Sequence, residues 1–175
     1  MTSTIDRIAN LLTEIDPDQT SLCPVSIYGD ARSGRHIVEG ATITVELERG
    51  YSMVTVRLDD SIRPSILATT EIGSTGTKKI MDAIERMRTA VKVLARVHDD
   101  LESAGYTPSS GTELGTSTLS CSGLRFYDED YTSAKIFTTG SLEGGDLFVE
   151  AGRGGPDTPV YLRVCEALRA AISEA

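Results

Sequence analysis

The stretch from Thr77 to Ala104 constrains the fold more than any other, because it reads as one uninterrupted helix with a broad apolar side. Ile80, Ile84, Met87, Val91, Leu94, His98 and Leu101 follow one another at spacings of 4, 3, 4, 3, 4 and 3, and Ala83, Ala90 and Val97 widen the stripe. Gly105 ends the run, with Tyr106 placed to pack back on it. A bare two-in-seven seam would suit a free coiled coil, whereas a stripe this wide is what a helix lying on a sheet needs.

Strand and helix patterns on both sides of that segment supply the rest. Ile5, Ile8, Leu11, Leu12 and Ile15 recur at helical spacing, Ser3 with Asp6 resembles a capping box, and Asp16-Pro17 stops the run, which predicts a helix over residues 4–15. Leu22 to Tyr28 reads as a strand that begins at an edge, since Pro24 donates no ladder hydrogen bond, and Gly29 to Gly34 reads as a turn. Ala41 to Glu48 and Tyr51 to Leu58 alternate around Arg49-Gly50. A two-residue hairpin there sets Val45 opposite Val54, Ile43 opposite Val56 and Ala41 opposite Leu58. Further strands are expected over Leu119 to Tyr127, Tyr131 to Thr139 and Leu147 to Ala151. Thr158 then caps a last helix with Pro159 at its first position and Tyr161, Val164, Cys165, Leu168 and Ile172 on its inner face.

The expected fold is α+β, with three helices and two antiparallel meanders of about six strands in the order α-βββ-α-βββ-α, arranged in two layers. Residues 1–175 are read as a single domain, its halves 1–106 and 118–175 joined by a Ser/Thr/Gly-rich loop over residues 107–117.

Charge narrows the partners. Against 17 basic side chains stand 26 acidic ones, a formal net charge of −9, and a field of that sign repels phosphate backbones, so nucleic acid is not an expected partner. Arg88, Lys92 and Arg96 form a basic row on the long helix, but without aromatic neighbours for base stacking the row reads as a solvated face. Cys23, Cys121 and Cys165 lie far apart in apolar surroundings with no C-x-x-C pair, so they read as reduced, and no metal site is expected. Met1 to Asn10 holds charge and a helical pattern where a signal core would be apolar, and no apolar run approaches a membrane span. A cytoplasmic chain without a membrane partner is the expectation.

Few motifs carry chemistry. Gly73, Ser74, Gly76, Thr77, Lys78 and Lys79 form a glycine-rich loop opening the long helix, where free N–H groups and the positive dipole end would cradle an anion such as a phosphate. The spacing departs from the P-loop, and the alternative is that Thr75 or Thr77 caps the helix with the lysines solvated or paired to Glu71. Asp128-Glu129-Asp130 lacks the Gly and Glu that an EF-hand loop would place where Ser133 and Thr139 stand, so it reads as a hairpin turn. His98 has no evident nucleophile partner and no G-x-S-x-G elbow is present, so neither catalytic residues nor a cofactor are expected. The long helix carries Lys78 and Lys79 at its start and Asp99, Asp100 and Glu102 at its end, charges of the sign its dipole disfavours. A partner would repair both ends, which makes Ile84, Met87, Val91, Leu94 and His98 a candidate interface.

Three functional classes follow. The first is a non-catalytic protein-interaction or assembly protein, chaperone-, inhibitor- or adaptor-like, associating with itself or another protein. The second is an enzyme or sensor that takes a phosphorylated small molecule at the Gly73–Lys79 loop, and the third a structural component of a viral or phage particle. The order of elements resembles in outline the acidic dimeric chaperones of type III secretion, which run α-βββ-α-ββ-α. That resemblance covers element order alone, with no shared motif, and the chain departs from it in its long middle helix.

Overall fold

The structure, a computed structural model, describes residues 1–30, 32–110, 123–138 and 147–174. Three helices, α1 (Thr4–Ile15), α2 (Thr77–Ser103) and α3 (Pro159–Ser173), accompany nine strands among the described residues. β1 (Ser26–Asp30), β2 (Arg35–Glu39), β3 (Ile43–Leu47), β4 (Val54–Asp59) and β5 (Leu67–Ile72) form a five-stranded antiparallel sheet in sequential order. β6 (Thr107–Ser110), β7 (Gly123–Tyr127), β8 (Ser133–Thr138) and β9 (Leu147–Ala151) form a second, four-stranded one. The α+β order is thus α-βββββ-α-ββββ-α, in two meanders that remain separate sheets.

α2 joins the two. Its first half, with Ile80, Ile84 and Met87, packs with Ile8 and Leu12 of α1 on the inward residues Val38, Val45 and Val56 of the first sheet. Its second half, with Leu94, Val97 and Leu101, packs on Leu124, Phe126 and Ile136 of the second sheet and Val164 and Leu168 of α3. Val91 lies between and touches both cores. The described residues include no helix long and apolar enough to cross a membrane.

Where local chemistry is strong, the elements form as the sequence predicts. Ser3 accepts from the Asp6 N–H while the Asp6 carboxylate accepts from the Ser3 N–H, a complete capping box. Thr158 caps α3, its hydroxyl oxygen accepting from the Tyr161 N–H at 3.4 Å. At the exit of α1, Asp16 is only 4% exposed and its carboxylate holds the β2–β3 turn, accepting from the N–H groups of Thr42 and Ile43 at 2.8 and 3.1 Å and from the Thr42 hydroxyl at 2.7 Å. α1 is thereby fastened to the sheet it covers.

Several expectations need correction. β1 starts only at Ser26 and runs on through Gly29 and Asp30, which were read as turn; β2 and β5 lie in stretches assigned no element, and β6 occupies the first residues of the expected loop, whose remainder, 111–117, lies outside the described residues. The proposed start of the next strand, Leu119 to Ser122, lies outside them too. In the β3–β4 hairpin Val45 faces Val56 and Ile43 faces Leu58, two residues away from the predicted register. The connection is a 3-10 turn over Arg49–Tyr51, with φ of 75° at Gly50 and 56° at Tyr51, so the chain reverses over more than two residues. On α3 the buried positions are Val160, Val164, Ala167, Leu168 and Ala171, while Tyr161 and Cys165 are half-buried and Ile172 is 49% exposed. Cys23 is an exposed free thiol, not a buried one.

Candidate functional site: an open sheet edge

The residues expected to act lie as follows. Ile84, Met87 and Leu94 are fully buried, His98 is nearly so and Val91 is half-buried, all inside the chain's own cores. The sheets of this chain therefore fill the stripe that was read as an interface. The ends of α2 that seemed to need a partner differ from each other. At the C-terminus, Arg63 from the β4–β5 loop grips both oxygens of Asp99 at 2.7 and 2.6 Å, and Arg163 of α3 reaches Asp100 at 2.9 Å. The hydrogen bonds from Arg63, more than any other cause, hold the Asp99 carboxyl down at about 2. At the N-terminus Lys78 and Lys79 are exposed, without an ion pair among the described residues.

The Gly73–Lys79 loop follows β5 directly, so a strand does precede it. Gly76, not Thr75 or Thr77, is the N-cap; its N–H donates to the Ser74 hydroxyl at 3.1 Å, and no side chain caps the helix. Gly73, Gly76 and Thr77 are exposed and Ser74 is half-buried, so the loop is an open surface. In the basic row, Arg88 donates to the Ile15 carbonyl at 2.5 Å and to Glu85, and Arg96 pairs with Glu174 at 3.2 Å. Two of its three members therefore tie helices together. Asp128 spends its carboxylate inside the β7–β8 turn, accepting from Asp130 N–H, Thr132 N–H and the Thr132 hydroxyl. A grouping that sequence spacing missed is His98, Asp99 and Glu102, whose ligand atoms lie within 4.8 Å of one another. Both oxygens of Asp99 already hold a guanidinium, so a cation there would have to displace Arg63.

No family model, curated protein or solved structure matches the chain. What the molecule can do must be read from its own surface.

Two edge strands have a single partner and an exposed large apolar residue among the described residues: β9, where Phe148 is 44% exposed beside the charged Glu150, and β1, which exposes more. Among the described residues β1 pairs only with β2 and none covers its other side: Ile27 and Tyr28 are 50% and 54% exposed. The opposite edge of the same sheet is guarded, because β5 lies under α2 and against β7. In the second sheet the edge strand β6 carries Pro108, which cannot donate to an added strand. β1, Ser-Ile-Tyr-Gly-Asp, contains no proline, no lysine and no inward-pointing charge, the usual devices against edge pairing.

The register shows why these residues suit the position. Ile27 and Gly29 point toward the helices, in rows with Val38 and His36, while Tyr28 points to the uncovered face beside Ile37. A Cβ at Gly29 would stand 3.1 Å from His36 Cδ2, a tight contact that the ring would have to yield to, and the His36 ring meets Tyr51 edge-on at 6.0 Å. On the uncovered face, Tyr28, Asp30, Ser33, Arg35 and Ile37 surround a shallow cavity of about 390 Å³. It continues across the sheet into a second hollow of about 320 Å³, which shares Arg35 and Ile37 and adds Thr44, Glu46, Thr55 and Arg57. Arg35 is fixed by Glu46 at 2.5 Å and Arg57 by Asp59 at 3.0 Å. A strand laid along β1 would meet the outer side of its backbone, which pairs with no strand among the described residues, with Tyr28 and Ile37 beside it.

Proposed function

We propose that this is a non-catalytic interaction protein that takes an extended polypeptide segment by strand addition at β1, as a chaperone, inhibitor or adaptor would. The observation that carries the reading is the unguarded edge itself: a strand with two half-exposed large apolar side chains, in a sheet whose other edge is covered. Main-chain hydrogen bonds along Ser26–Asp30 would supply affinity, and the cavity beside Tyr28 and Ile37 would select the side chain that enters it. The sparse chemistry elsewhere agrees, because Arg88, Asp99 and Asp100 of α2 serve to hold elements together.

The test is to pan a random-peptide library on the immobilised chain, at a density where copies do not meet, with counter-selection on Tyr28→Lys and Ile27→Lys. Both substitutions sit at half-exposed positions and place a protective charge on the edge. Peptides rich in β-branched and aromatic residues should be retained by the wild type and lost on both variants. Enrichment indifferent to the variants, or no enrichment, overturns the reading.

A further inference from the structure

We infer that the crevice between the exit of α1, the middle of α2 and the β4–β5 loop binds a free amino acid with an aliphatic side chain, held as a zwitterion between Lys92 and Asp18. The crevice shares no lining residue with the cavity beside β1. It lies where Val91 touches both apolar cores, and it encloses about 310 Å³, the lower end of the roughly 300–1,000 Å³ usual for small-molecule sites. Its apolar lining includes Leu58 from β4, Val91 from α2 and Ile62, which is 78% exposed at the loop and gains cover from an aliphatic chain.

The charged lining is of both signs, and most of it is already engaged. Asp59 holds the Arg57 guanidinium through both oxygens at 3.0 and 3.1 Å, and Asp60 accepts from the N–H groups of Ile62 and Arg63 at 2.8 and 2.9 Å. Arg63 is bound to Asp99, and Arg88 to Glu85 and the Ile15 carbonyl. Two lining charges remain without an ion pair among the described residues, the Lys92 ammonium on α2 and the Asp18 carboxylate beyond α1. Asp18 is placed by its own N–H, which donates at 3.3 Å to the buried Asp16 that ties α1 to the sheet.

Lys92 and Asp18 are opposite in sign, both exposed, and make no ion pair with each other. A ligand that carries an ammonium and a carboxylate on one carbon, with an aliphatic tail to set against Leu58 and Val91, meets all three surfaces at once. The described lining as a whole holds three acids and three bases, so it favours neither a simple anion nor a simple cation, and a molecule of no net charge with two poles matches it. Two charge contacts at an open mouth bind weakly, with a dissociation constant on the order of 1 mM.

The experiment titrates the full chain with leucine and follows its backbone amides by heteronuclear NMR. Saturable shifts should appear at Asp18, Ser61, Ile62 and Lys92, which line the crevice, and not at Ile27 or Tyr28. Isocaproate, which lacks the ammonium, isoamylamine, which lacks the carboxylate, and glycine, which lacks the tail, should each bind at least about threefold more weakly than leucine. Lys92→Gln and Asp18→Asn, both at exposed positions, should each weaken leucine by about three- to tenfold. Lys79→Gln removes the same charge at an exposed lysine outside the crevice and should leave leucine binding unchanged. The absence of saturable shifts at the crevice amides, an analogue lacking one pole that binds as tightly as leucine, or leucine binding indifferent to Lys92→Gln and Asp18→Asn overturns the assignment. The three analogues act on the wild type, so that arm stands whatever the variants do to the fold.

Discussion

Removing the Asp16 carboxylate should be the most damaging single change outside the apolar cores. Four donors depend on it: the N–H groups of Thr42 and Ile43 and the Thr42 hydroxyl, on residues at most 6% exposed, and the Asp18 N–H at 3.3 Å. Water cannot replace the lost partner without opening the junction of α1 with the β2–β3 turn. A buried donor left unpaired costs about 1–3 kcal/mol, so Asp16→Ala, allowing for some relaxation, should cost roughly 3–5 kcal/mol. At about 2–4 °C per kcal/mol for a chain of this size, that is a fall in Tm on the order of 10–15 °C. Asp16→Asn should be much milder, about 1 kcal/mol, because its single carbonyl oxygen can keep both backbone N–H groups while its NH2 turns to the Thr42 hydroxyl oxygen.

Gly40 supplies an independent check. A Cβ there would stand 2.7 Å from Asp16 Oδ2 and 3.1 Å from the Ile43 carbonyl oxygen, so Gly40→Ala should cost about 1–3 kcal/mol by pushing the carboxylate off its donors. In an Asp16→Ala background the oxygen is gone and most of that cost should vanish, giving a coupling of about 1 kcal/mol or more. Urea unfolding followed by circular dichroism measures all four proteins. An Asp16→Ala cost under about 1 kcal/mol, an Asp16→Asn cost equal to it, or additive effects with Gly40→Ala would refute the reasoning.

Three further outcomes are expected. Thr158→Ala should lower stability by about 1 kcal/mol in the same urea assay, since its hydroxyl accepts from Tyr161 N–H and donates to the Gly155 carbonyl. Asp99 is held at about 2 against an ordinary 3.8, so it contributes stability above the unfolded value that is lost as pH falls through about 2. Because the side chain is 53% exposed, screening limits the effect to under about 1 kcal/mol, and the gap between wild type and Asp99→Asn should close as acid unfolding is followed from about pH 5 to 2. Replacing Lys78 and Lys79 together with Glu should raise stability by about 0.3–1 kcal/mol each at low ionic strength, less with salt, because the start of α2 favours negative charge. A melting temperature that rises with millimolar phosphate in the wild type and not in that variant would instead favour a phosphate ligand at the loop.

How much of this was legible in the sequence depends on whether a residue's neighbours in the chain are also its neighbours in space. Ser3 with Asp6, and Thr158 with Pro159, carry their own explanation within one turn of helix, and the structure keeps both caps. β5 turns Ala68 and Thr70 inward, and β6 is Thr-Pro-Ser-Ser, so neither shows the apolar alternation by which strands are recognised. On α3, the large residues Tyr161, Cys165 and Ile172 drew the eye, yet Ala167 and Ala171 are buried, because small side chains suit the side that packs against α2. The hairpin is the instructive case. A shift of two residues leaves Ile43, Val45 and Leu47 on the same face, so hydrophobic pattern cannot detect it, and only the left-handed backbone of Gly50 and Tyr51 sets the register. The candidate site is harder still, since Ser-Ile-Tyr-Gly-Asp would read the same in the middle of a sheet as at its rim. What makes β1 a rim is that the meander runs away from it, toward β5 and α2, and no strand among the described residues closes its outer side. An edge is a property of connectivity, so the letters of β1 alone say little about its place at the rim.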